Sequence, residues 1–167
     1  VSGLTELIGT IINHVKSNGG TIGQLMEKSI FLKFAPILKL TEPIFNDYNE
    51  MLRATGQIDF NDMINRAADY VKDGLCTHNY KYVIVDEYQD MSEARYHLLH
   101  EMRKKSDFDL FCVGDDWQSI YRFTGSDISY ILDFEKYWGK TVISKIETTY
   151  RFGKQLIDIS GKFIMKN

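Results

Sequence analysis

The stretch Tyr82-Val83-Ile84-Val85-Asp86-Glu87-Tyr88-Gln89-Asp90 decides the fold. Its apolar, mostly β-branched start predicts a short strand buried on both faces, and the two acids end that strand abruptly. Working outward, Ser92 predicts a helix cap, with the helix running to about Lys104. Leu110-Phe111-Cys112-Val113 predicts a second buried strand that stops at Gly114. A helix from about Ile128 to Tyr137, a strand over Thr141 to Ile146 and a last helix from about Gly153 to Ile164 complete the pattern. Strands and helices alternating at this spacing predict right-handed crossovers and a parallel sheet with helices on both faces, an α/β fold. Such sheets bind ligands at the carboxyl ends of their strands. Here those ends carry Asp86-Glu87 and Asp115-Asp116.

Upstream, residues 1 to about 75 have a different texture, helical throughout and without a good strand. Leu4, Leu7, Ile8, Ile11, Ile12 and Val15 recur at helical spacing, and Ser17-Asn18-Gly19-Gly20 stops that helix. Pro36 and Pro43 predict that the next helix starts anew near one of them. Ile44, Phe45, Tyr48 and Leu52 continue an apolar stripe to Gly56. Asp59 predicts the cap of a further helix holding Met63, Ile64, Ala67, Ala68 and Val71, which Gly74 ends.

Composition narrows the classes. The 167 residues, 44 % of them apolar, suffice for one cored domain. A net charge of −3 excludes a globally basic nucleic-acid module, so any such contact must be local. Cys76 and Cys112 form no CxxC pair and read as reduced thiols of a cytoplasmic protein. No stretch is long and apolar enough to span a membrane. The chain does not begin with Met and is expected to start inside a longer protein.

The acidic strand end has a chemical use. A carboxylate at the tip, Asp86, can hold hydrated Mg²⁺, which prefers oxygen ligands and keeps several waters. The next, Glu87, points elsewhere and can orient or deprotonate an attacking water. Taken alone, an apolar strand running into Asp-Glu is ambiguous, because many strands simply end in solvated acids. Its continuation narrows it. Asp86-Glu87-Tyr88-Gln89-Asp90 resembles the DExQD motif II of superfamily-one DNA helicases of the Rep/UvrD type. Val113-Gly114-Asp115-Asp116-Trp117-Gln118-Ser119-Ile120-Tyr121-Arg122-Phe123-Thr124-Gly125 resembles their motif III, and Thr149-Tyr150-Arg151-Phe152 their motif IV. Ile58-Asp59-Phe60-Asn61-Asp62-Met63-Ile64 is similar to a shorter family signature before motif II. Within the family, Trp117 and Tyr150-Arg151-Phe152 look most like the bacterial helicase IV branch.

That resemblance carries expectations. It implies a partial RecA-like (P-loop NTPase) sheet, with ATP and Mg²⁺ as cofactors and single-stranded and partially duplex DNA as partner. The activity it implies is ATP-dependent 3′-to-5′ unwinding, in DNA repair. Asp86 and Glu87 would hold the metal, and Glu87 would activate water. Gln118 would sense the γ-phosphate, Arg151 would contact it, and Tyr150 would stack on adenine. Tyr121 and Phe123 would stack on unpaired bases, Phe123 the more so because it stands where relatives have Trp. Residues 1–57 would be part of an inserted helical accessory domain, and residues 58–167 the C-terminal half of the first motor domain.

The chain departs from the family pattern at two places. Thr124 stands where many relatives have an Arg able to pair with motif II acids, and it receives no role. Trp117 replaces an acid and is expected to pack. His97 and His100, one helical turn apart near Glu93 and Glu101, lack the HExxH order of a zinc site and read as a solvated helix face. Cys76 and His78 are too few for a metal site. No Gly-x-x-x-x-Gly-Lys-Ser/Thr phosphate cradle is present. The chain alone is therefore expected to be inactive, with that loop and the second motor domain supplied by the rest of the parent. The alternatives are the motor of a helicase-nuclease, or a non-catalytic nucleic-acid-binding module.

Overall fold

The computed structural model describes residues 2–27, 33–120 and 125–166. Four helices lead: α1 (Ser2–Ser17), α2 (Ile22–Glu27), α3 (Ala35–Ala54) and α4 (Phe60–Lys72). Then come β1 (Tyr82–Val85), α5 (Glu93–Lys105) and β2 (Asp109–Cys112). Two short helices, α6 (Ser129–Leu132) and α7 (Phe134–Trp138), precede α8 (Lys154–Ile164). Mixed helix and strand with a parallel pair make this an α/β chain.

Local chemistry accounts for the leading elements. Gly19 ends α1 in the left-handed region at φ 62°, and the Gly20 N–H reaches back to the Val15 carbonyl. Pro36 lies in the first turn of α3, where its missing N–H costs nothing. Pro43, by contrast, sits inside α3 without ending it. The helix instead gains from Leu38 and Thr41, both buried, which hold it against its neighbours through the proline. Asp59 caps α4 by accepting from the Asp62 N–H at 2.8 Å. Ser92 caps α5 from the Arg95 N–H.

Val15, Ile22, Leu25 and Leu38 form one core between α1, α2 and α3. Beside it a buried cation joins the helices. Lys16, 6 % exposed, pairs with Asp59 and, at 2.8 Å, with Asp62, while Tyr48 of α3 donates its hydroxyl to Asp59 at 3.1 Å. Burial disfavours the charged Asp59, but the bonds from Lys16, the Asp62 N–H and Tyr48 outweigh it and hold the carboxyl below its usual range.

A second core lies under β1 and β2. Tyr88, Met91 and Tyr130 are buried, with Val85, Tyr96, Leu99, Cys112, Phe134 and Tyr137 packed around them. Trp138 donates its indole N–H to the Tyr88 hydroxyl at 2.6 Å. Desolvation in this cluster pushes the Cys112 thiol up to about 12, so it is no thiolate.

β1 and β2 run parallel, with Tyr82 opposite Asp109 and Val85 opposite Cys112. The second strand begins and ends one residue earlier than Leu110 to Val113. Neither strand is buried on both faces: Val83, Val85, Leu110 and Cys112 face the core side, while Tyr82, Ile84 and Phe111 are exposed, Ile84 at 72 %. The expected helices on both faces are thus not seen. Only one face is covered among the described residues; the other presents Tyr82, Ile84 and Phe111 uncovered. The strand expected over Thr141 to Ile146 does not form either; the segment is irregular, with Val142, Ile143 and Ile146 exposed. β-branched residues favour a strand only where a neighbour accepts the backbone bonds and the side chains pack, and neither occurs there. The single helix expected over Ile128 to Tyr137 is broken at Asp133, a poor helix former with φ −103° and ψ 34°. Among the described residues no helix is long and apolar enough to cross a membrane.

Candidate functional site

The site grows out of the ends of β1 and β2. The ladder continues past the strands, with the Val113 N–H bonding the Val85 carbonyl and the Tyr88 N–H bonding the Val113 carbonyl, both at 2.8 Å. These bonds hold the loop after β1 against the loop after β2. Between them the chain must turn at Asp86-Glu87. Glu87 takes it in the left-handed region, at φ 50°, a conformation that costs a non-glycine residue about 1 kcal/mol. Asp86 meets part of that cost by accepting from the Glu87 N–H at 2.9 Å. A 3-10 turn over Tyr88–Asp90 follows, anchored by the buried Tyr88 ring.

Asp86 and Glu87 are exposed at the tip, while the next polar residue, Gln89, is 2 % exposed. The Gln89 amide donates from Nε2 to Glu87 Oε2 at 2.7 Å and accepts at Oε1 from the Asp115 N–H at 3.0 Å. Asp115 in turn accepts from Gln118 Nε2 at 2.8 Å and, on its other oxygen, from the Trp117 N–H at 3.1 Å. Glu87, Gln89, Asp115 and Gln118 therefore form one continuous hydrogen-bonded chain. Two of the expected site residues, Glu87 and Gln118, are joined by it, and Asp86 stands beside them, bonded to the Glu87 N–H. The sequence reading missed Gln89 and Asp115 as its links. The available signal was a polar amide between Tyr88 and Asp90, four residues past the end of β1, with no solvent-side task of its own.

Gly114 serves closeness rather than a special turn. Its φ is not in the left-handed region, but a Cβ there would stand 2.8 Å from Gln89 Oε1 and 3.0 Å from Ile131 Cδ1. Downstream, the chain after motif III is pinned to the rest of the molecule. Ser126 bridges Ser92, the Asp127 N–H bonds the Met91 carbonyl, and Gly125 lies against Ser17 at the end of α1.

Tyr150 and Arg151 are not gathered into this site. Tyr150 is 94 % exposed, and the Arg151 side chain has no ion pair among the described residues; only its N–H bonds, to Thr149 Oγ1 at 3.3 Å. Tyr121 and Phe123, with Arg122 and Thr124, lie outside the described residues. Trp117, expected to pack, is instead exposed, because its short turn follows β2 on the outer side of the second core. The helix face with His97 and His100 is only partly solvated. Glu101 is buried there and bonded to Lys104 at 2.7 Å, with both imidazoles beside it. The Lys104 bond holds the Glu101 carboxyl below its usual range.

A hard cation such as Mg²⁺ takes oxygen donors and keeps much of its water, so it needs carboxylates open to solvent. The described residues contain no cluster of three or more His, Cys, Asp or Glu able to cage a metal. Two exposed carboxylates at the tip, Asp86 and Glu87, suit an ion that retains most of its own water, which is the habit of Mg²⁺. Cys76 Sγ and His78 Nδ1, 3.9 Å apart and exposed, do not extend to such a site.

Comparison with known proteins gives the chain's family. Residues 5–138 match the UvrD/REP helicase N-terminal domain. The chain is 36 % identical over 135 residues to DNA helicase IV of Escherichia coli (strain K12), covering 80 % of this chain and 20 % of that protein. It is 33 % identical over 135 residues to ATP-dependent DNA helicase PcrA of Bacillus subtilis (strain 168), covering 77 % and 18 %. With DNA helicase II of Rickettsia typhi (strain ATCC VR-144 / Wilmington) it shares 29 % over 167 residues, covering 97 % and 25 %. The chain thus spans between about a fifth and a quarter of the length of these relatives.

Proposed function

The chain belongs to the UvrD/Rep helicase family, and from that premise we propose that it is the part of an ATP-dependent DNA helicase that holds the catalytic acids. The parent protein would couple ATP hydrolysis to 3′-to-5′ travel along single-stranded DNA and to unwinding of the duplex ahead. Residues 58–167 would be the C-terminal half of a RecA-like motor domain, and residues 1–57 would belong to an inserted helical domain. The single observation that carries this reading is the hydrogen-bonded chain from Glu87 to Gln118, which joins two motifs 31 positions apart in one polar array at the strand tips.

Chemically, the proposed roles follow from position. Asp86 and Glu87 would hold Mg²⁺, which when bound neutralises phosphate charge. Glu87 would take the proton of a water whose oxygen attacks the γ-phosphorus. The bond from that phosphorus to the β,γ-bridging oxygen breaks, and ADP leaves with the electron pair. Gln118 would bond the γ-phosphate without adding charge. Tyr150 would stack on adenine and Arg151 would contact the γ-phosphate. Their exposure fits residues that await a ligand and a further wall of the site. Tyr121 and Phe123 would stack on unpaired bases. The exposed apolar face of Tyr82, Ile84 and Phe111 likewise suits a covering layer contributed by the rest of the parent.

The test is ATP turnover and strand separation by the full parent protein. Turnover stimulated by single-stranded DNA, with unwinding of duplexes bearing a 3′ tail and not a 5′ tail, is the expected result. Unwinding of 5′-tailed duplexes alone would overturn the polarity, and no ATP turnover would overturn the function.

A further inference from the structure

Gln89 is a buried polar side chain to which none of the roles above is given. At 2 % exposure an unbonded amide would be costly, so its partners are informative. One partner, the Asp115 N–H, can only donate. The amide oxygen must therefore face Asp115, and the amide NH₂ must face Glu87. The direction of the amide is set by the backbone and cannot reverse without breaking both bonds. Glu87 Oε2 consequently rests against a donor that cannot turn away. Its other oxygen carries no bond among the described residues.

The same amide connects forward. Asp115 passes the link to Gln118 through its carboxylate. Gly114 supplies the space, since a Cβ there would meet both the Gln89 side-chain oxygen and its backbone nitrogen. A displacement of Gln118 by a ligand is thereby felt at Glu87 through two rigid groups, one of them buried.

We infer that Gln89 is a positioning residue: it sets the orientation of the Glu87 carboxylate for proton transfer and, through Asp115, ties that orientation to the place of Gln118. This rests on the ATP hydrolysis proposed above. Gln89 itself touches neither water nor phosphate in this role. A residue that merely fills and satisfies the core under the strand tips would make the same contacts, but it would respond differently to substitution.

The experiment measures kcat and KM for DNA-stimulated ATP turnover by the full parent protein, for the unsubstituted enzyme and for Gln89→Glu, Gln89→Met and Asp115→Ala. Gln89→Glu keeps the volume and still accepts from the Asp115 N–H, but while ionised it cannot donate to Glu87. Its kcat is expected to fall between about tenfold and a hundredfold at mildly alkaline pH, the scale of a misplaced catalytic group. The KM for ATP should stay within about twofold. Gln89→Met loses both bonds and should show a kcat loss at least as large, again with little change in KM. Asp115 is exposed, so Asp115→Ala should fold whatever happens at Gln89, and it should lower kcat several-fold.

A kcat in Asp115→Ala equal to that of the unsubstituted enzyme overturns the relay, and a Gln89→Glu or Gln89→Met kcat that is unchanged, or a loss carried by KM instead, overturns the positioning role. If the unsubstituted protein itself turns over no ATP, it is the functional reading that fails, and that failure is distinct because it shows before any variant is compared.

Discussion

A Cβ placed on Gly114 would lie 2.8 Å from the side-chain oxygen of Gln89, so the loop after β2 touches the loop after β1 with no room for one more carbon. Gly114→Ala is expected to force that contact apart and lower stability by about 1–3 kcal/mol, the usual cost of overpacking. Chemical denaturation measures the loss, and an unchanged midpoint would mean that the two loops are not in firm contact. In the parent the same change should reduce ATP turnover more than Gly20→Ala, which lies away from the strand tips.

Gly125 predicts a sharper effect. It combines φ 96°, a conformation L-residues avoid, with a Cβ position 1.8 Å from Ser17 Oγ and 2.7 Å from Ser17 Cβ. Gly125→Ala should cost about 3 kcal/mol or more. Adding Ser17→Gly relieves the clash but not the backbone strain, so it should restore part of the stability and no more. Full recovery in the double variant would assign the whole effect to the clash.

Lys16 is the cation between Asp59 and Asp62. Lys16→Met leaves two neighbouring carboxylates without it, and should cost about 2 kcal/mol, the lower side of buried-pair values because both acids keep some water contact. The acid side can be checked without mutation. Asp59 and Glu101 are both held below the usual carboxyl range, so the unfolded chain binds protons more readily than the folded one. Their contribution is whole above the unfolded carboxyl pKa near ~4 and is lost as pH falls through the lower folded values. Denaturation midpoints should therefore drop on acidification below that pH, and less so in Lys16→Met. An equal drop in both proteins would exclude Lys16 as the cause.

Phe123→Ala in the parent should weaken the stimulation of ATP turnover by single-stranded DNA, since base stacking on one ring contributes roughly 1–3 kcal/mol. Turnover without DNA should change little. Unchanged stimulation would remove Phe123 from the DNA contact.

Local signals were the most legible part of the chain. Asp59 and Ser92 are side chains whose capping bonds need only the next turn, and each caps its helix as its position suggests. β1 was legible because a run of apolar, β-branched residues meets two acids. What depends on distant partners was not. Thr141 to Ile146 has strand composition, yet a strand is made by its neighbour, and the sequence does not name one. The exposure of Ile84 and Phe111 is the same problem seen from the sheet's face. Of the two prolines near which a helix was expected to start, Pro36 opens α3, where its missing N–H costs nothing, while Pro43 lies inside it, held there by the packing of Leu38 and Thr41. Asp86, Glu87 and Gln118 could be named from their motifs, but Gln89 could not, because its importance lies in burial and in a backbone donor 26 positions away.

The most direct test is steady-state ATP turnover by the full parent protein, with and without single-stranded DNA, before and after Glu87→Gln. The substitution preserves size and most hydrogen bonding but removes the base. DNA-stimulated turnover that falls at least ~100-fold in the variant, while ATP still binds, is the result expected of a general base. Turnover that survives Glu87→Gln would contradict the assignment of the acidic strand tip as the catalytic centre.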